Sequence, residues 1–494
     1  MTDSTKNTFS RRSMLATLGA GAGLAGLGAV TSAKAADLPS PETVETFDVV
    51  VIGTGLAGTV AALEAASSGA KVAIVEKAPE NRAGGNSAFS AGIIAMPASQ
   101  SAGDQDAFLE DFVAKGKGRG NRTVYELMAK AARADVDWLR SHGVEFLPEG
   151  TMPPYRIATA TTAPGPYMGM PRTLADLRKK ITGMGGRFFF DTKAKQLVID
   201  GKGAVSGVRA VGPAGVVELA ARSVVITTGG YAGNPQIIAA YSDPNAEAMM
   251  VRGIGWATGD GLVLAEEVGA GLRGMGGIMA LHIAAVDAVE TAAGNPFAAL
   301  PYCISVNQEG KRFIDESKGY VAHGKAVLAQ PGQRASLVFD QQIAELPPSQ
   351  TTMGTFRRLG IEMAEAATLE ELAEKIGVPA DALVATVNEF NTSVENGTAP
   401  KASPPKAALA GKIETAPFYA FRSLAPGVTL TFGGIMINEK AEVLEADGRV
   451  IPGLYAAGEG AGHVFYDDYV GGGSLANCLV MGRIAGREAV AGIR

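Results

Sequence analysis

Val49-Val50-Val51-Ile52 runs directly into Gly53-Thr54-Gly55-Leu56-Ala57-Gly58, and Glu76 closes a second apolar run some twenty residues further on. A strand that feeds a glycine turn and then a helix is a seat for a pyrophosphate. Small residues let the anion approach the backbone, and N–H groups at the helix N-terminus point at it. An acidic residue ending the next strand accepts hydrogen bonds from ribose hydroxyls and repels a 2′-phosphate, which disfavours NADP. Gly53, Gly55, Gly58 and Glu76 are therefore candidate dinucleotide-binding residues. A second glycine cluster, Gly84-Gly85-Asn86-Ser87-Ala88-Phe89-Ser90-Ala91-Gly92, follows, and Ala457-Gly458-Glu459 lies near the C-terminus. A nicotinamide cofactor does not need these extra backbone-rich segments. A flavin, longer and more deeply buried, does, so FAD is the expected cofactor.

These residues need elements to hold them. Phe47–Ile52 and Lys71–Glu76 read as buried parallel strands, with Thr59–Ser68 helical between them and Gly69 as its stop. Asn121–Arg140 reads as a helix, Val205–Val211 and Val216–Leu219 as a hairpin, and Arg222–Thr227 as another apolar strand. From about Gly276 to Gly427 helical patterns and Pro-rich loops take over, and βα texture returns afterwards, ending in a helix from Leu475. The expected fold is α/β: a Rossmann-like FAD-binding domain with an inserted α+β capping domain. The expected divisions are a signal peptide (1–35), a linker (36–46), the first part of the FAD-binding domain (47–275), the capping or substrate domain (276–427) and the second FAD-binding part (428–494).

The chain has 494 residues, is 47% hydrophobic and carries a net charge of −6, which fits a multi-domain globular protein and offers no basic footprint for nucleic acid. Its 64 glycines are about twice the usual ~7% share and lie in short clusters without a collagen period. Two cysteines and four histidines show no metal-ligand spacing, so no metal is expected. Ser10-Arg11-Arg12-Ser13-Met14-Leu15, a weakly apolar stretch to Val30 and Ala33-Lys34-Ala35 together form a twin-arginine export signal with its cleavage site. The expected location is the periplasm or the exterior of the cell envelope. No other segment is apolar for long enough to form a stable membrane span.

Gly-Gly-Asn-Ser-x-x-Ser-Ala-Gly, Thr227-Thr228-Gly229-Gly230-Tyr231, Thr258-Gly259-Asp260-Gly261, Gly458-Glu459 and Gly472-Gly473-Ser474-Leu475 together resemble the fumarate reductase and succinate dehydrogenase flavoprotein superfamily. That superfamily also holds the 3-ketosteroid dehydrogenases and exported bacterial C=C reductases. The resemblance implies FAD contacts from Ala57 and the fingerprint glycines to the pyrophosphate, and from Glu76 to the ribose. It places Asn86, Ser87, Ala91 and Gly92 on the path to the flavin, Ala194 beside the adenine and Asp260 in a turn near the flavin edge. Glu459 would meet the ribityl chain, and the N–H groups of Ser474 and Leu475 would meet the N1–O2 edge. Members with covalent FAD carry a His beside the Gly-Gly. Asn86 stands there, so the FAD would be non-covalent.

The substrate-clamping positions of fumarate reductases are changed. Tyr320, Tyr469 and Thr429 stand where that resemblance places Arg, Arg and His. The ketosteroid dehydrogenases also carry tyrosines at both Arg positions. By that resemblance Tyr469 O–H and Gly473 N–H bind a carbonyl oxygen, and Tyr320 exchanges a proton at the adjacent carbon. Hydride transfer to the β carbon puts enolate charge on the oxygen, where those donors stabilise it. The expected activity is hydrogen transfer across a C–C bond next to a carbonyl, on a small apolar substrate such as a cyclic enone. Electrons would exchange with an external donor or acceptor that the sequence leaves open. Alternatives are a ketosteroid-like dehydrogenase, an enoate reductase using Arg252 or Arg422, and a flavin electron carrier without an organic substrate. Tyr167, Tyr302 and Tyr466 are reserve candidates, and His282 reads as pocket wall.

Overall fold

A computed structural model describes residues 38–152, 155–160, 169–243, 245–246, 249–286, 294–466 and 468–493. The export signal, 1–35, and Tyr167 lie outside the described residues. Strand β1 (Val49–Ile52), helix α1 (Leu56–Ser67) and strand β2 (Val72–Val75) form the first βαβ unit. The short helix α2 (Gly85–Phe89) follows, then strands β3 (Arg187–Phe189) and β4 (Ser223–Ile226) and helices α3 (Asp260–Glu267) and α4 (Tyr320–Leu328). Strand β5 (Phe418–Thr431), strand β6 (Val450–Ala456) and helix α5 (Gly473–Ala491) complete the frame.

The main sheet runs Glu442–Leu444, β6, β4, β1, β2, β3, with all pairs parallel except the first. Every residue of β1, β2 and β4 is buried, as a parallel sheet covered on both faces requires. Helix α5 packs along α1 with almost no gap. A Cβ at Gly482 would lie 2.7 Å from the Ala57 carbonyl, and one at Gly486 would lie 2.4 Å from that of Ala61. The pairs advance together, so the helices run in the same direction, with the N-terminus of α5 extending ~12 Å beyond that of α1 at 1.5 Å per residue.

A second sheet is built around β5, which pairs with Met250–Val251, Ile278–Ala285, Ala335–Asp340 and Ala364–Ala366. It has its own hydrophobic core, drawn from Ala299 to Leu424, while the first core draws on both ends of the chain. Phe418–Leu424 of β5 contribute to the second core and Val428 to the first. The expected division at 427/428 thus falls inside one continuous strand, and β5 carries the chain from the capping region down to the site. Part of the segment read as a linker is a strand, Thr43–Thr46, paired with Val217–Ala220. Its side chains are mostly exposed, so it has no apolar pattern to betray it. No helix among the described residues is long and apolar enough to cross a membrane.

Candidate active site

One cavity of about 1020 Å³ joins the glycine turn after β1 to the N-terminus of α5 and the underside of the capping region. That lies at the upper edge of the ~300–1,000 Å³ of a typical small-molecule pocket, room for an extended ligand. At one end, Gly53 holds φ +109°, and a Cβ there would meet the Thr227 carbonyl at 2.5 Å. Gly55, Leu56 and Ala57 line the cavity at the N-terminus of α1, whose first turn has no acidic residue to offset its dipole. The Ser87 hydroxyl accepts the Leu56 N–H at 3.0 Å, which locks α2 against this terminus. Gly58 does not line the cavity. A Cβ there would sit 2.1 Å from the Gly53 carbonyl, so Gly58 serves the close packing of helix on turn.

The Glu76 carboxylate lines the cavity beyond this turn. It accepts the Thr54 N–H at 3.0 Å, the Thr54 hydroxyl and the Ala78 N–H at 2.8 Å. These bonds fix its rotamer and leave lone pairs for a ribose. Asp260 opens α3 and pairs with Lys77 at 2.6 Å and Lys193 at 2.9 Å. Burial acts to raise its pKa, but hydrogen bonds and charge from the two lysines outweigh that and hold it below the ordinary carboxylate range. Its partners neighbour Glu76 and Ala194 in the chain, so Asp260 sits at the Glu76 end of the cavity. Ala194 and Ala91 line the cavity, and Gly92 does not. Gly92 is a turn residue at φ +72° whose carbonyl accepts the Ala160 N–H at 3.0 Å.

At the other end Ser474 and Leu475 line the cavity in the first turn of α5, again with no acid in that turn. Such a terminus favours negative charge on a bound group. Gly473 departs from expectation. Its N–H donates to the Val470 carbonyl at 2.8 Å, and the residue does not line the cavity. A Cβ there would lie 2.9 Å from Cζ of Phe112, so this glycine is explained by packing, and its amide is already engaged. Glu459 accepts from the Thr431 N–H at 3.0 Å and from the Asn86 amide at 3.5 Å. Burial pushes its pKa up to about 7 against these stabilising bonds. Asn86 also donates to the Thr429 carbonyl at 2.9 Å and accepts the Ile254 N–H at 2.9 Å. It ties α2 to β5 and to the loop after Val251.

Above this end, Tyr469 lines the cavity, its ring 5.0 Å from Phe465 and packed on Leu430 and Phe432. Tyr320 is placed by a buried ionic hub. Glu316, with no exposed side-chain surface, accepts the Ser305 N–H at 2.8 Å and two Arg312 bonds at 3.1 and 2.9 Å, with Lys406 at 3.6 Å. A 3-10 turn, Glu316–Lys318, and Gly319 at φ +86° then start α4 with Tyr320 as its first residue. The Tyr320 ring stands edge-on to Phe297 at 6.5 Å; Phe297 lines the cavity and Tyr320 stands behind it. Burial and the charge of Asp468 raise the Tyr320 pKa, and Arg252 opposes them. Arg252 lines the cavity, whereas Arg422 pairs with Glu362 outside it. Tyr302 and Tyr466 do not line it, and Tyr466 is stacked under Arg119 at 3.9 Å. His282 lies on the strand Ile278–Ala285 opposite Gly427. Sequence reasoning missed Phe297, Trp256 and the Thr351–Thr355 face of the helix Pro347–Leu359, all of which line the cavity and none of which belongs to a motif. Among the described residues no group of three or more His, Cys, Asp or Glu could hold a metal ion.

A family profile described as FAD binding domain matches residues 48–475. The chain belongs to that family. It is 31% identical over 456 residues to the fumarate reductase (cytochrome) of Shewanella frigidimarina, covering 90% of this chain and 77% of that one. Its structure matches the open conformation of a flavocytochrome c3 fumarate reductase with TM-score 0.76 and 29% identity, over 100% of this chain and 83% of that one. The 3-ketosteroid Δ1-dehydrogenase of Sterolibacterium denitrificans matches with TM-score 0.74 at 22% identity, over 90% and 99%, a likeness of fold alone. This protein is an FAD-dependent oxidoreductase of the fumarate reductase flavoprotein superfamily, and its glycine turn, Glu76 and paired helix N-termini fit FAD.

Proposed function

We propose that the enzyme reduces a C=C bond conjugated to a carbonyl, in a cyclic enone-type substrate. The observation that carries this reading is a single cavity in which the dinucleotide seat and Tyr469 share one continuous volume. FAD, when bound, supplies hydride chemistry at its N5 position. The protein's part is to orient and to manage charge and protons. The Tyr469 hydroxyl donates to the carbonyl oxygen, where enolate charge develops. The Tyr320 phenol delivers the proton to the α carbon, a role that requires side-chain motion past Phe297. The largely apolar surroundings exclude water from the enolate. The Asn86 amide is committed to three partners and offers no ring nitrogen for a flavin bond, which supports non-covalent FAD. Tyrosines where the resemblance places arginines support a substrate other than a dicarboxylate, since each such change removes a cation that a buried carboxylate needs. The twin-arginine motif supports export, tested by whether the envelope form of the protein begins after Ala35. For the activity, anaerobically reduced holoenzyme is mixed with 2-cyclohexenone. Return of oxidised-flavin absorbance with formation of cyclohexanone is expected. A flavin that stays reduced against every cyclic enone tried overturns the reading.

A further inference from the structure

We propose that the indole of Trp256 is the platform on which the adenine base of FAD stacks, so that this residue selects FAD over FMN. The nucleotide end of the cavity is set by Glu76, which follows strand β2 and suits ribose hydroxyls. Lys77, the next residue, donates to the Thr258 hydroxyl at 2.7 Å, and that hydroxyl donates to the Asp260 carboxylate at 3.1 Å. The Thr258 N–H in turn donates to the Trp256 carbonyl at 2.9 Å, and the Ala257 carbonyl accepts the Gly233 N–H at 2.7 Å. The turn that carries Trp256 is therefore tied to the Glu76 end. Ser474 and Leu475, at the N-terminus of α5, line the other end.

Trp256 lines the cavity and is 39% exposed, and among the described residues its indole has no ring or cation partner. The chain's other tryptophan shows the contrast: the Arg483 guanidinium lies 4.2 Å over the ring of Trp138. Charge at the Glu76 end is settled internally, because Lys77 and Lys193 both pair with Asp260, at 2.6 and 2.9 Å. Ala194, next to Lys193, lines the same end with a small side chain. What this end offers a neutral, flat base is thus an aromatic face. Stacking uses the π surface of a base, so it needs no matching set of hydrogen-bond donors, and it favours indole over smaller side chains.

The test uses intact holoenzyme and two flavins that differ in the adenylate half. Wild type and variants are dialysed against graded FAD or graded FMN, and the flavin retained is read from its absorbance. No substrate is present, so the outcome is independent of the carbonyl reading. Wild type is expected to hold FAD in preference to FMN. Trp256→Ala should raise the FAD concentration for half-retention by ~5- to 150-fold, the worth of one base stacked on an aromatic ring, and leave that for FMN within about twofold. Trp256→Phe, which keeps a π face, should recover most of the loss. Trp256→Leu, which keeps apolar bulk without a ring, should recover little. The Phe and Leu variants decide the point even if the alanine variant does not fold. Unchanged FAD retention in Trp256→Ala, an equal loss of FAD and FMN, or a Leu variant that retains FAD as well as the Phe variant overturns the assignment.

Discussion

Replacing Tyr469 with Phe removes one hydroxyl and keeps the ring. The ring contacts, Phe465 at 5.0 Å with Leu430 and Phe432, are retained, so the fold and FAD retention should not change. A preorganised donor to a developing oxyanion contributes ~2.7–4 kcal/mol to the transition state, or ~10²–10³ in rate. The structure argues for the upper part of that range. The Gly473 N–H, which would have been the second donor, bonds the Val470 carbonyl at 2.8 Å and cannot share the load. The assay is a single-turnover one: photoreduced enzyme is mixed anaerobically with saturating enone, and flavin absorbance is followed. The hydride step should slow by ~10²–10³ while the concentration for half-saturation moves little, because the bond strengthens mainly as charge develops. A fall of less than about threefold, with enone binding intact, would show that the hydroxyl does not face the reacting carbonyl.

Tyr320→Phe should reduce turnover by ~10²–10⁴ yet leave the enone-induced flavin spectrum in place, because docking does not use that phenol; unchanged steady-state rates would make it a packing residue. Glu76→Ala should weaken FAD retention by ~10- to 100-fold, the worth of a charge-assisted hydrogen bond, with little effect on the remaining holoenzyme. Dialysis against dilute FAD followed by flavin fluorescence measures this. Burial raises the Glu459 pKa from an ordinary 4.5 to about 7, so the folded state binds the extra proton and stability should decline as pH rises through that interval. Thermal unfolding of Glu459→Gln should lack this component of the decline, and identical pH profiles for variant and wild type would contradict the assignment.

The glycine turn and its carboxylate were legible as a pattern because strand, turn, helix and Glu76 follow one another within one short stretch of chain. Gly53 and Gly58 each exclude a Cβ through atoms of the same turn or of the adjacent strand, and Glu76 is oriented by Thr54 and Ala78. The surroundings of Asp260 were not readable because they depend on Lys77 and Lys193, and Lys77 is 183 residues away. The motif around Gly473 correctly marked the start of α5 but could not reveal that its amide closes a turn on Val470. The continuity of the strand across 427 was not readable for a related reason: β5 is apolar along most of its length because it serves two cores in succession, and composition does not change where the core does. Arg252 belongs to no glycine motif. Only the pairing of Met250–Val251 with β5 brings it to the cavity.

The central claim is that this site acts beside a carbonyl and not on a dicarboxylate. The most direct measurement compares, on one preparation of anaerobically reduced enzyme, the second-order rates of flavin reoxidation by cyclic enones and by fumarate. Tyr320 and Tyr469 predict fast reoxidation by enones and negligible reoxidation by fumarate. Rapid reoxidation by fumarate, with enones inert, would contradict the account.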